Sequence, residues 1–270
     1  MISVKQKYRK KVGLVLGSGG FRGFAHIGVI QVLQENNIPI DYISGASIGS
    51  LVGAYFSLYS DLHKLEAEVV TNKKEKLLTL FDLGFRGGLV SGKKFEIFLE
   101  KTLGRKSFND CHIPLSIVAT DLKSGQAVII NQGALTTAVR ASSSVPLVFE
   151  PVKIKGKLLV DGGLSDPVPV DIVKNMGADV VIAVNLYHLN EFIDRRFNMA
   201  AVALRSTRIA IHNLSKTSIK SADVVLNPDT SRLMQKSYKK YFNPIIAKAL
   251  IEIGRQEAKK MLPQIKKIIS

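Results

Sequence analysis

A chain of 270 residues, 46% apolar with 7% aromatic residues, can bury the core of one α/β domain, which excludes disordered and fibrous classes. A single cysteine excludes an intrachain disulfide, and no apolar run reaches the roughly 18 residues that cross a bilayer. The net charge of +16 favours polyanions, either an anionic lipid surface or nucleic acid, unless it marks only a solvated basic face.

A basic leader (Lys5, Lys7, Arg9, Lys10, Lys11) runs into Val12 to Leu16, too short an apolar run for a signal peptide, so a strand in a cytoplasmic protein is expected. The glycine-rich turn Gly17 to Gly23 follows. Phe24, Ile27, Val29, Ile30 and Leu33 then recur at helical spacing up to Asn36-Asn37 and Pro39. Asp41 to Gly45 reads as the next strand and Ile48 to Leu58 as an apolar helix. Residues 60–110 change texture: charged helical patterns flank a glycine-rich loop, Gly84 to Gly92, predicting a lid-like helical insertion beside the active face. Strands are expected at Leu115 to Thr120 and Gln126 to Asn131, with a short helix from Leu135 to Ala141. A hairpin turning at Lys155-Gly156 delivers a strand into Asp161-Gly162-Gly163. A helix from Val170 to Met176, a strand from Asp179 to Asn185, a helix through Ile211 and a strand at Asp223 to Leu226 come next. Asn243-Pro244 caps a final helix to Met261. From Leu204 onward 14 Lys and Arg stand against 4 Asp and Glu, so the excess charge is concentrated late. The alternation predicts an α/β fold with a mostly parallel central sheet and helices on both faces, its ligand site at the carboxyl ends of the strands.

Gly45-Ala46-Ser47-Ile48-Gly49 fits the G-x-S-x-G elbow, in which a tight strand-to-helix turn lifts a serine out of the sheet. The run from Gly17 fails as a dinucleotide fingerprint, because Gly23 falls one place late and Asp41 begins its strand instead of ending it. It lacks the lysine of a phosphate loop as well. Its third reading is an oxyanion hole built on the Gly19 and Gly20 amides, with Arg22 either orienting the loop or holding an anionic head group. Of the five histidines, His26 reads as a packing or capping residue of its helix, His63 and His112 as surface residues of the insertion, and neither His188 nor His212 lies in a strand-end glycine turn. An apolar strand delivers Asp161 to a glycine pair, and a partly desolvated carboxylate can serve as the base for serine. Asp121 and Asp166 are competitors that lack its glycine pair. No residue set has metal-ligand spacing, and no cofactor is implied. Aromatic residues do not interleave with the basic ones, which disfavours nucleic acid.

Together GSGGFRG with AHIGVI (Gly17 to Ile30), GASIG (Gly45 to Gly49), RASSSVP (Arg140 to Pro146) and DGG (Asp161 to Gly163) resemble the patatin-like phospholipase family, in its compact bacterial form. GLVSGKK (Gly88 to Lys94), IPLSIVATDL (Ile113 to Leu122) and GADVVIAVN (Gly177 to Asn185) extend the likeness over 11–228, leaving 229–270 as a basic helical extension packed on the same domain. The resemblance implies a three-layer α/β/α fold and hydrolysis of phospholipid or related acyl esters through an acyl-enzyme. Ser47 matches the nucleophile and Asp161 the general base, while Gly19, Gly20, Arg22 and Gly23 match the oxyanion loop. A low-turnover regulatory protein, or an acyltransferase with an acceptor other than water, would use the same residues. Ser18 stands where glycine is frequent, and so does Leu147, which implies a bulkier wall. The basic tail suggests peripheral contact with the anionic inner membrane surface, salt-sensitive by its electrostatic part.

Overall fold

The computed structural model describes residues 9–71, 91–187, 198–234 and 243–270. Lys5, Lys7, the loop from Gly84 to Val90 and His188 lie outside them. An eight-stranded sheet forms the centre, with β1 (Val12–Leu16), β2 (Tyr42–Ala46), β3 (Leu115–Asp121), β4 (Ala127–Ile130), β5 (Val152–Ile154), β6 (Lys157–Asp161), β7 (Val180–Val184) and β8 (Val224–Leu226). The order is β5-β6-β3-β2-β1-β7-β8, and β4 adds to β3. From β3 through β2, β1 and β7 to β8 all pairings are parallel, whereas β3–β4, β3–β6 and β5–β6 are antiparallel. The sheet is therefore mixed, with a parallel centre. Its inner strands β1, β3 and β7 are buried along their whole length, as strands covered on both faces must be.

Alternation along β1 assigns the two faces. Leu14 and Leu16 join the large apolar cluster beneath α1 (Phe24–Glu35) and α2 (Ile48–Tyr59). Val15 points the other way, into a smaller cluster with Val170 and Val173 of α6 (Val170–Asn175). Helices α3 (His63–Thr71) and α4 (Lys93–Leu103) bury Leu65, Val69, Phe95 and Leu99 in the large cluster, and α5 (Leu135–Ser142) packs on β3 and β6. After α7 (Met199–Ser218) and α8 (Ser231–Met234), the chain closes with α9 (Pro244–Ile269).

The Asn243 side chain accepts a hydrogen bond from the Ile245 amide at the start of α9, as its sequence predicts. The helix runs on past Met261 and through Pro263, which removes one intrahelical donor. Burial outweighs that loss: Ile265 is fully buried, and Leu262, Ile268 and Ile269 pack on the core. Against α1, the contact is backbone on backbone. A Cβ on Gly28 would collide with the Ile251 carbonyl, and one on Gly254 with the Ala25 carbonyl. Arg255 pairs with Glu35 and Gln31 at the edge of the same contact. Helix α7 likewise extends beyond Ile211, burying Ser215 and carrying Ser218 toward Asp166.

The register places the site. Ala46, the last residue of β2, pairs with Val118 of β3, and Asp161, the last of β6, pairs with the next residue, Ala119. Because β2 runs parallel to β3 and β6 antiparallel, their carboxyl ends approach from opposite directions over successive residues of one strand. Ser47 follows Ala46 directly.

Candidate active site

Ser47 has φ 54° and ψ −122°, a conformation that a side-chain-bearing residue adopts only under constraint. Glycines supply the room. A Cβ on Gly45 would lie 2.6 Å from the Gly49 carbonyl oxygen, and one on Gly49 would collide with the Leu16 carbonyl. The Ser142 hydroxyl fixes the turn by accepting from the Ser47 amide at 2.8 Å while donating to the Val118 carbonyl at 2.6 Å. With its backbone held, Ser47 donates its hydroxyl to Oδ2 of Asp161 at 2.6 Å.

Asp161 is 5% exposed, and burial pushes its carboxyl up to about 6, against the downward pull of hydrogen bonds from Ser47 and Gly163. The Gly163 amide donates to Oδ1 at 2.8 Å, leaving Oδ2 for the serine. Both glycines after Asp161 are sterically required. A Cβ on Gly162 would collide with the Val118 carbonyl, and one on Gly163 would sit 2.6 Å from the Ser18 hydroxyl oxygen. Ser18 therefore fits behind the turn, where its hydroxyl donates to Tyr187 Oη at 3.4 Å.

Gly20 turns the glycine-rich loop with φ 59° and faces open space. Among the described residues neither the Gly19 nor the Gly20 amide donates to a backbone carbonyl. Arg22 is buried and holds the loop from behind: its Nε donates to the Gly19 carbonyl at 2.8 Å and its Nη1 to the Leu186 carbonyl at 2.6 Å. Its guanidinium also lies 4.6 Å from the centre of the Tyr187 ring. These contacts tie Arg22 to its own loop and to the segment after β7. Gly23 packs against Ile48, with no space for a Cβ. His26, fully buried and held neutral near 4 by desolvation, donates from Nε2 to the Gly17 carbonyl at 2.8 Å.

The other carboxylates and histidines sit elsewhere. Asp121 binds the Lys123 amide and the Ser124 hydroxyl, contacts that lower its pKa, and Asp166 accepts from Ser218 of α7. His63 and His112 are exposed, and Nδ1 of His212 faces the Tyr187 carbonyl at 3.3 Å. Leu147 is 53% exposed and outside the cavity lining, so it does not thicken the wall. What its position demands is φ 66°, which glycine adopts without strain.

A cavity of about 170 Å³ joins these groups. Gly19, Gly20, Arg22, Ser47 and Asp161 line it, whereas Gly23, Gly45, Gly49, Gly162 and Gly163 pack behind it. Apolar side chains from α2, α3 and α4 form much of its wall, including Leu51, Val52, Leu65, Val69 and Phe95. Helix α7 adds Leu204, Thr207, Arg208 and Ile211. Among the described residues no His, Cys, Asp and Glu cluster could hold a metal ion.

Three supporting residues had no role assigned from the sequence: Ser142, Arg140 and Tyr187. The first two stand in RASSSVP, which the sequence offered only as part of the family resemblance. Arg140 donates to Ser144 Oγ and to the Ser91 and Glu150 carbonyls. A Cβ on Gly92 (φ 73°) would collide with its guanidinium, so two motifs quoted separately are in contact. Tyr187 carried no local signal, since the Ser18 hydroxyl that meets its Oη lies 169 residues earlier in the chain.

The model of the patatin-like phospholipase family matches residues 14–174. An uncharacterised NTE family protein of Mycobacterium tuberculosis is 36% identical over 68% of this chain and 51% of its own length. The neuropathy target esterase of Drosophila melanogaster is 35% identical over 65% of this chain and 13% of its own. The chain thus spans about half the length, or less, of these relatives. VipD from Legionella pneumophila shares the fold, with a TM-score of 0.51 at 16% identity, over 95% of this chain and 67% of that one.

Proposed function

The chain belongs to the patatin-like phospholipase family, and from that premise we propose that it is a serine acyl hydrolase acting on phospholipid or lysophospholipid esters. The observation that carries this reading is the 2.6 Å hydrogen bond from Ser47 to a buried Asp161 inside an apolar cavity. Ser47 Oγ attacks the ester carbonyl as its proton passes to Asp161 Oδ2. The Gly19 and Gly20 amides take the developing oxyanion, held in place by Arg22 and His26. Asp161 then protonates the leaving alcohol. In the second half Asp161 accepts a proton from water as the water attacks the acyl-enzyme, then returns that proton to Ser47 Oγ as the C–O bond breaks and the fatty acid leaves.

An acyl chain suits the apolar wall, while Thr207 and Arg208 on α7 suit a phosphate-bearing head group. Similarity to proteins named lysophospholipase, such as one from Pyricularia oryzae (32% identical over 70% of this chain and 13% of its own length), supports a single-chain lipid as the first substrate to try. The protein should release fatty acid from lysophosphatidylcholine and react covalently with a fluorophosphonate at Ser47. Stoichiometric fatty acid with water as the only acceptor distinguishes hydrolysis from acyl transfer. Absence of both labelling and release in folded protein would leave the low-turnover regulatory reading. Arg208→Ala should raise KM for anionic lysolipids several-fold while leaving a neutral p-nitrophenyl ester nearly unaffected. A bilayer contact belongs to the same reading.

A further inference from the structure

Helix α7 has two faces with different company. One lines the cavity through Leu204, Thr207, Arg208 and Ile211, and the helix packs on the Gly162–Leu164 turn beside Asp161. The other carries Met199, Val202, Ala203, Ser206, Ile209 and Ala210, all exposed. Their spacing places them on one stripe of the helix, and Met199 is 90%, Val202 46% and Ile209 38% exposed. Leu147, flanked by the cavity-lining Pro146 and Val148, adds an exposed apolar side chain at the rim.

Within the described segment that carries the stripe, the charges have one sign. Residues 198–222 contain Arg205, Arg208, Lys216 and Lys220 and no acid. Of the acids nearby, Asp166 accepts from Ser218, Asp171 from Ser221 and Asp223 from the Val181 amide, Asp171 and Asp223 remaining exposed. The C-terminal helix exposes Ile245 at its start but offers no comparable stripe, because Leu250, Ile251, Ala258 and Ile265 are buried.

We infer that the outer face of α7 docks on an anionic lipid bilayer, setting the cavity mouth against the membrane. An apolar stripe edged by cations matches such a surface, whose acyl region takes the aliphatic side chains and whose head groups take the lysines and arginines. A second copy of this chain, also at +16, would oppose it with like charge. This inference extends the lipid reading to a surface, and binding can be measured without turnover.

The test uses the Ser47→Ala protein with vesicles of phosphatidylcholine alone or mixed with phosphatidylglycerol, read by co-sedimentation. Binding should require phosphatidylglycerol and weaken with salt. Val202→Glu with Ile209→Glu should weaken it about tenfold or more. Milder Val202→Ser with Ile209→Ser should weaken it less, with an unchanged melting temperature certifying the fold. Lys259→Glu with Lys260→Glu on α9 should change binding less than the α7 pair does. In the Ser47 background the α7 variants should hydrolyse a soluble short-chain ester at the parental rate. The inference is overturned if parental protein ignores anionic vesicles or if folded α7 variants bind as tightly as the parent. A concentration-dependent dimer dissolved by the same substitutions would overturn it in favour of self-association.

Discussion

Burial of Asp161 gives the protein two pH dependences of opposite sense. A carboxyl held near 6 when folded and at its ordinary 3.8 when unfolded keeps its proton better in the folded state. Its contribution to stability is fully present below about 4 and is lost as pH rises through about 6. Above that window, ionised Asp161 destabilises the fold by on the order of 2–3 kcal/mol. The proposed catalysis runs the other way: with Asp161 as the base it must be ionised, so kcat should fall as pH drops below about 6. Asp161→Asn removes the charge, and with its oxygen accepting from the Gly163 amide its NH2 group can only donate to Ser47 Oγ. Denaturant melts should show this variant more stable than the parent at pH 8 by about 1–3 kcal/mol, with the difference shrinking toward pH 4. Ser142→Ala strips a partner from both the Ser47 amide and the Val118 carbonyl. Melts should show a loss of about 1–3 kcal/mol, and kcat should fall more than KM rises because the elbow loses its tether.

Among the elements, the α1–α9 crossing is the place where one substitution reaches furthest. Gly254 lets α9 approach the Ala25 carbonyl, so Gly254→Val should destabilise by about 1–3 kcal/mol or detach the helix, read by hydrogen exchange in α1 and α9. Sequence patterning located most strands and helices because their apolar runs and caps are local: β1 and β7 are continuous runs, and Asn243 caps α9 as expected. Where tertiary contacts override a local stop signal, patterning failed. The helix expected to end at Met261 continues through Pro263, carried by the burial of Ile265. The antiparallel arrangement of β4 and β6 around β3 was not legible either, since β3 is buried throughout and its sequence carries no partner orientation. At the site, Ser47 and Asp161 were legible as separate strand-end turns. Their meeting over Val118 and Ala119 is a fact of register, and Ser142 and Tyr187 enter only through it.

For the whole molecule, charge and shape bear on where the chemistry takes place. No helix among the described residues is long and apolar enough to cross a membrane. With a net charge of +16 and an apolar stripe on α7, the proposed route to lipid is from a surface, and vesicle hydrolysis should be more salt-sensitive than hydrolysis of a soluble ester. Everything in that scheme depends on Ser47 being the nucleophile and Asp161 its base. The most direct measurement compares fatty acid release from lysophosphatidylcholine by the parent, Ser47→Ala and Asp161→Asn proteins, each verified as folded. Both variants should fall by about a thousandfold or more. An Asp161→Asn protein that turned over at the parental rate, or a Ser47→Ala protein that still released fatty acid, would contradict the account.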